Sequence, residues 1–511
     1  MMQTAINNNM EKSITMKSIV IQAYVWLALP LLIFLAFWVI PWISVPAITA
    51  IILILAKIFR EKSDSQLYKS RGFAASLRFD RNIWWIILVI LLVSIYCGIG
   101  GLYSQSETDA FGRNAVFYDL VKFPWPTQYP PLDGNPRFMI YYFGFWLPAA
   151  LIAKMFGGSV FTGEMVQIVY AAWGVWLITA FLFSYCHGRR RWFTFLLLFF
   201  YCGWEILQSI ILWERFMGDY TFMDFYIGQL DSDNPGYSMM TMHITLIHIY
   251  NQAIPAIFGF ALLYYQRNCL KYSLFTFSLL MIFAPIPALG ILPVCVIWCL
   301  RNFRRALTLI NIFGILLTSL IAIFYMGNSL RTMSCFITSS YEIIKLAKYC
   351  CIWLFIDVAV YIPFIWNRVK HNRMFMLLLL ISILGPLFSL HGRSDFGWRL
   401  TSGLAVFLMF TVIKTAVYVR NWRTPRNICF AIVLALGATG PIVAYSRRSY
   451  FEIKEVIIEG KSPRNTLIEG HLSDKDYPGN WIYVNYIAER GSFFYRYLMR
   501  RDRSYDPKPA Q

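Results

Sequence analysis

Charged residues are scarce in this chain of 511 residues and make up only 14% of it, against about 25% in soluble domains. Apolar residues account for 58% and aromatic residues for 18%. An ordinary soluble enzyme is therefore excluded, and we expect an integral membrane protein in contact with a lipid bilayer. The net charge of +19 does not indicate a nucleic-acid partner, because the basic residues punctuate apolar runs instead of forming a polar domain.

The sequence also lacks the motifs of common nucleotide and metal sites. It contains no G-x-x-x-x-G-K-[ST] loop and no Rossmann glycine fingerprint, so nucleotide-driven chemistry in the cytosol is not expected. None of its ten cysteines forms a CxxC pair or a metal-spaced cluster. Most of them lie inside apolar runs, which indicates small apolar packing residues.

Apolar runs dominate the rest of the chain. Most are about 20 residues long, the length that a helix needs to cross a bilayer. They predict an all-α polytopic membrane protein with about 13 transmembrane helices. The first run, 19–40, is long and lacks a small-residue cleavage site, so we expect residues 1–18 to remain as a cytoplasmic N-terminus.

The connections between the runs are of two kinds. One kind is short and basic, which places it in the cytoplasm by the positive-inside rule; these connections are 60–82, 189–191, 267–271, 301–305, 368–373 and 420–426. The other kind is longer or more acidic and is predicted to face outside; these loops are 104–137, 213–241, 327–349 and 391–399. The transmembrane domain is thus predicted to span 19–446.

Two regions need separate expectations. Runs 138–157 and 164–186 lie between an outside loop and the arginines at 189–191, so either one run does not cross or those arginines lie outside; we favour a broken or interfacial helix at 138–157. Residues 447–511 are polar and are predicted to form a small extracytoplasmic tail, with strand structure at 451–458 and a helix near 481–499.

The first outside loop carries carboxylates close to the membrane surface. Glu107 and Asp109 follow directly after an apolar run, and a carboxylate at that depth could act as a general base toward an acceptor hydroxyl. Arg113, Asn114 and Asp119 follow in a stretch predicted to form an amphipathic interfacial helix. The alternative is that acidic residues simply decorate an outside loop.

The pattern T-D-A-F-G-R-N-A-V-F-Y-D-L-V-K-F-P-W-P, followed by I-Y-Y-F-G-F-W-L-P-A-A-L-I-A-K, resembles the first outside loop and next helix of the GT-C glycosyltransferase superfamily. The stretches at 237–256 and 391–405 support that resemblance. It implies a polyprenyl-phosphate-linked sugar donor and a catalytic acidic residue early in the loop. Asp109 matches that position, with Glu107 in reserve and Asp119 as a second loop carboxylate. The E-x-D form, where some members have D-x-D, leaves a requirement for a divalent metal open, and no metal ligand is assigned.

Other polar residues are candidates for substrate binding. Arg393, Asp395 and Arg399 lie at the outside mouth of two runs, where arginine's planar fork suits the phosphate of a lipid carrier; the alternative is a salt-bridge cluster that closes the bundle. Tyr237, His243 and His248 belong to a second group, and their spacing does not match the HExxH zinc motif. Structural hydrogen bonding is the alternative for both histidines.

Three functions remain open at this point. The first is a glycosyltransferase of the cytoplasmic (inner) membrane that transfers a lipid-linked sugar to a glycan, lipid or protein outside. The second is a transporter or flippase of a lipid-linked or anionic substrate, against which the lack of an internal repeat argues. The third is a non-catalytic protein of envelope-glycan assembly.

Overall fold

The protein is mostly helical, and the computed structural model describes residues 13–101, 108–132, 135–204, 239, 241–326, 333–335, 340–390, 399–458, 467, 486–489 and 493–500. The helices are α1 Met16–Trp38, α2 Pro41–Arg60, α3 Arg81–Tyr96, α4 Thr108–Lys122, α5 Leu147–Met155, α6 Val160–Tyr185, α7 Arg191–Phe200, α8 Met242–His248, α9 Tyr250–Tyr265, α10 Ser273–Met281, α11 Pro285–Arg301, α12 Phe303–Ala306, α13 Leu309–Tyr325, α14 Ser340–Trp353, α15 Ile362–Val369, α16 Arg373–Leu384, α17 Ser402–Val417 and α18 Pro425–Glu452.

Several of these helices are long and apolar, as an all-α membrane protein requires. Among the described residues, α1, α2, α6 and α18 are long and apolar enough to cross a bilayer. A bent pair, Leu346–Ala359 with Ile362–Val369, makes a fifth candidate if its two halves form one span. The other apolar helices are shorter and have between 10 and 17 residues when adjoining 3-10 turns are included, as in Phe143–Met155 and Leu270–Met281.

The long helices differ in how they are packed. In the most apolar 18-residue stretch of each helix, 67% of α1 is buried inside the protein, but only 28% of α2 and of α18. Trp26 of α1 stacks on Tyr170 of α6 at 4.3 Å, and each side chain donates a hydrogen bond to the other's backbone carbonyl. Helix α1 is therefore central, whereas α2 and α18 present apolar faces that suit contact with lipid.

The basic connections gather at one end of the bundle, which we call the basic end (residues 60–82, 187–191 and 267–272). Arg191 pairs with Asp80 at 2.7 Å, Lys271 pairs with Glu61 at 2.8 Å, and Ser184 Oγ donates to the carbonyl of Ala74. The start of α7 thus lies beside the 60–82 connection. Helix α5 has only nine residues, or roughly 14 Å, and is too short to cross a bilayer.

Strands hold the loops together at the opposite end, the loop end. Strand β3 Gln128–Leu132 pairs with β4 Asn135–Met139, which pairs with β7 Ile487–Glu489 of the tail. Strand β5 Met333–Cys335 pairs with β6 Phe388–Leu390. At the basic end, β1 Ser13–Thr15 pairs with β2 Ser76–Arg78.

The tail differs from its sequence-based expectation. Helix α18 continues to Glu452 and passes into a π-helical turn, Ile453–Ile458, so the predicted strand at 451–458 is wrong. The described part of 481–499 contains strand β7 and a second π-helical turn, Phe494–Leu498, where a regular helix was expected. The helix continues past the polar boundary because the backbone N–H of Ile453 bonds to the Ser449 carbonyl. Further along, the tail packs on the bundle, with Tyr495 stacked on Phe138 at 4.1 Å.

Candidate functional site

The helix of the first loop, α4, is enclosed by protein. Residues 112–121 are all buried, including Arg113, Asn114 and Asp119, whose exposed fractions are 3%, 5% and 0%. The sequence predicted an interfacial helix with one face on the membrane, and the structure instead packs α4 against α5 and α6. Its polar face therefore points into the protein, where buried polar groups need partners.

Asp119 ties three parts of the chain together. Its Oδ2 accepts a hydrogen bond from the Tyr129 hydroxyl at 2.6 Å, and its Oδ1 accepts one from the backbone N–H of Leu467 at 3.2 Å. Burial raises the pKa of Tyr129 well above its ordinary value, and the charge of Asp119 adds to that rise. Tyr129 thus remains a neutral donor, and Asp119 positions the loop helix.

The carboxyl end of α4 is held by donors from its surroundings. Lys154 Nζ donates to the carbonyls of Val121 at 3.0 Å and Phe123 at 2.6 Å. Trp125 Nε1 donates to the carbonyl of Leu120 at 2.8 Å. These bonds satisfy carbonyls that a helix end leaves without a partner, and a cation at that end also suits the helix dipole.

Arginines from distant parts of the chain approach the same tyrosines at the loop end. Burial raises the pKa of Tyr141, and the positive charges of Arg399 and Arg113 oppose that rise. Arg113 also lies over the ring of Tyr250, 5.6 Å from its centroid, and the charge of the buried Arg448 acts at Tyr250 as well. The tertiary structure therefore collects positive charge around two buried phenols.

Three buried amide side chains belong to residues that contact Tyr250 or directly follow it in the sequence. Gln167 Nε2 donates to the Tyr250 hydroxyl at 2.9 Å, and Asn251 and Gln252 follow Tyr250 in the first turn of α9. All three amides are at most 1% exposed. Both polar atoms of Asn251 and the Oε1 atoms of Gln167 and Gln252 make no hydrogen bond within the described part of the chain. Such unmatched atoms cost about 1–3 kcal/mol each, which marks this place as a candidate binding site.

Both histidines lie in α8, and a break in the helix at Ile249 follows His248. His243 is buried, and its Nδ1 lies 2.9 Å from the Thr241 hydroxyl. Helix α8 ends at His248 and α9 begins at Tyr250. The four-residue spacing of His248 and Gln252 therefore does not place them on one continuous helix face. No group of three or more potential metal ligands occurs among the residues described.

Several predicted site residues lie outside the described residues: Glu107, Tyr237, Arg393 and Asp395. Asp109 belongs to the first turn of α4 by its backbone. Of the predicted residues that are described, Arg113 and Arg399 both exert their charge at Tyr141.

Sequence reasoning missed Arg448, Gln167 and Asn251. For Arg448 a signal existed, since the basic pair 447–448 follows the last apolar run on the side predicted to face outside, against the positive-inside trend.

The comparisons with known proteins leave the geometry as the basis for any functional conclusion. A scan of family models, a search of curated proteins and a search of solved structures each gave no significant match for this chain.

Proposed function

We propose that the protein is a membrane glycosyltransferase with a polyprenyl-phosphate-linked sugar as donor and a glycan, lipid or protein outside the cytoplasmic membrane as acceptor. About 13 helices would cross the bilayer, with the loop end outside and the basic end in the cytoplasm. The resemblance of the first loop to the GT-C superfamily supports this proposal. The buried polar site at the loop end supports it independently.

The observation that carries the proposal is the position of Arg113 over the ring of the buried Tyr250, 5.6 Å from its centroid. The charges of Arg113 and Arg399 both act at Tyr141 as well. Arg113 is buried and Arg399 is partly buried, and their guanidinium groups provide several donors in planar forks, which match the oxygens of a phosphate. Arg113 belongs to α4 and Arg399 lies just before α17, 286 residues apart along the chain (399 − 113), so the arrangement is a product of folding. In the proposed mechanism they bind the donor phosphate, and Arg448 adds positive charge nearby.

The proposed reaction is a glycosyl transfer in which a carboxylate at or just before the start of α4 acts as the general base. Asp109, or Glu107 in its place, would remove the proton of an acceptor hydroxyl, whose oxygen then forms a bond to the anomeric carbon of the donor sugar. The bond between that carbon and the phosphate oxygen breaks, and the polyprenyl phosphate leaves with its charge held by the arginines. The amides of Gln167, Asn251 and Gln252 suit sugar hydroxyls, because each amide offers both donors and an acceptor.

The test replaces the proposed base without changing its size. Membranes containing wild-type protein or Asp109→Asn would be supplied with a radiolabelled polyprenyl-phosphate sugar, and the label transferred to the membrane acceptor would be measured. We expect a loss of transfer of at least about a hundredfold. Asp64→Asn, an exposed carboxylate at the basic end, is the matched control and should retain full activity. Undiminished transfer by Asp109→Asn would remove Asp109 from the mechanism.

A further inference from the structure

A second polar site lies at the basic end, away from the proposed reaction. A cleft of about 470 Å³ opens where α9, α11 and α15 end and α16 begins. Its lining is basic and aromatic: Tyr264, Arg267, Trp298, Arg368, His371 and Arg373. Within the part of the chain that the structure describes, no carboxylate lines it.

The arginines of this cleft are not neutralised within the described part of the chain. Arg368 and Arg373 are exposed and form no ion pair there. Arg267 is held in place by its donation to the Tyr264 carbonyl at 2.8 Å and by stacking over the Tyr264 ring at 4.4 Å. Its charge and that of Arg368 both act at the buried Lys414. The cleft therefore has an uncompensated positive field.

The start of α16 adds to this field. Asn372 caps the helix, with its side-chain oxygen accepting from the N–H groups of Met374 and Phe375 at 3.1 and 3.2 Å. Arg373 is the first helical residue. The positive end of a twelve-residue helix therefore lies in the wall of the cleft, and helix N-termini favour anions.

We propose that this cleft binds a phosphate group, carried by an anionic phospholipid or by a soluble phosphate compound. The three guanidinium groups match phosphate oxygens. Half-buried Trp298 and Tyr264 are residues that favour the level of lipid headgroups, and basic pockets between membrane helices are known to hold such headgroups. This site is separate from the proposed glycosyl transfer and does not depend on it.

The test uses the full-length protein in a neutral detergent. Binding of short-chain phosphatidylglycerol, phosphatidylcholine and inorganic phosphate would be compared by native mass spectrometry and by titration calorimetry. We expect the double variant Arg368→Gln/Arg373→Gln to bind its phosphate ligand at least roughly tenfold more weakly, because charge-assisted hydrogen bonds are lost. The matched control is Arg420→Gln/Arg423→Gln, which removes the same charge from exposed positions at the same end outside the cleft lining.

The outcomes separate the alternatives. Preferential binding of phosphatidylglycerol that is lost in the cleft variant and kept in the control identifies a lipid site. Equal competition by inorganic phosphate identifies a site for a soluble phosphate compound. Equal losses in both double variants, or no loss in the cleft variant when its unfolding temperature matches wild type, would overturn the proposal, since binding would then reflect only general surface charge.

Discussion

Tyr129 donates a 2.6 Å hydrogen bond to Oδ2 of Asp119, and this bond joins the first strand of the loop-end sheet to the helix of the first loop. The other carboxylate oxygen accepts from the backbone of Leu467 in the tail. One buried carboxylate therefore fixes three segments that are distant in sequence. Because α4 carries Asp109 and Arg113 on the same helix, its orientation determines where both proposed functional groups lie.

The main effect of replacing Asp119 should be a lower stability of the fold, not a direct change in the proposed reaction. Asp119→Asn keeps the shape but removes the charged acceptor of two hydrogen bonds, and hydrogen bonds to charged groups contribute about 1.5–3 kcal/mol. We expect a lower unfolding temperature in detergent, measured with a fluorescent dye that does not react with cysteine thiols. Tyr129→Phe, which deletes only one of the bonds, should cost about 1 kcal/mol. If Asp119→Asn unfolds at the wild-type temperature, Asp119 does not position the loop helix.

Arg399 should be sensitive to a substitution that conserves its charge. Arg399→Lys retains the positive charge but loses the planar fork that contacts two phosphate oxygens at once. We expect the KM for the lipid-linked donor to rise by roughly tenfold, equivalent to about 1.4 kcal/mol. The measurement is the donor dependence of the transfer assay. Arg81→Lys, an exposed arginine at the basic end, is the control, and an equal effect in both variants would count against a donor-binding role.

The pair between Glu61 and Lys271 should make stability depend on pH. The hydrogen bond from Lys271 holds the pKa of Glu61 below its ordinary value of 4.5, although burial opposes the shift. A lowered folded-state pKa means that the pair stabilises the protein fully above 4.5 and that this contribution disappears as the pH falls through the folded-state pKa. Because Glu61 is partly exposed, the contribution should stay below about 1 kcal/mol.

The measurement for Glu61 is the unfolding temperature as a function of pH. The difference between wild type and Glu61→Gln should be largest near neutral pH and shrink in acid. Asp64→Asn in the same connection is the control for a general charge effect. A difference that grows as the pH falls would contradict the assigned direction.

Gly314 should not tolerate a side chain. A Cβ at this position would lie 2.6 Å from the backbone carbon of Leu274 and 2.6 Å from the nitrogen of Phe275, so α13 and α10 could not approach as they do. Gly314→Ala should therefore destabilise the protein by about 1–3 kcal/mol, despite the higher helix propensity of alanine. Ser319→Ala, exposed on the same helix, should leave the unfolding temperature unchanged. A more stable Gly314→Ala would show that these helices are not in close contact.

Local patterns predicted much of the helical architecture. Apolar run length indicated α1, α2, α6 and α18, each of which is long and apolar enough to span a bilayer, because hydrophobic length is a property of one contiguous segment. The same reasoning failed at 451–458, because the backbone N–H of Ile453 bonds to the Ser449 carbonyl and extends the helix. For 138–157 it predicted a broken or interfacial helix, and the helix found there, α5, has only nine residues, with Pro148 in its first turn.

The sequence by itself determined the class of protein and the sorting of its connections by charge, because both depend on composition along short stretches. Only the tertiary structure decided which buried polar groups meet. Asp119 bonds to a residue 348 positions away, and the charge of Arg399, which lies just before α17, acts at Tyr141. Such meetings depend on how helices pack around α1, and packing is set by the shapes of many side chains together, which no single segment encodes.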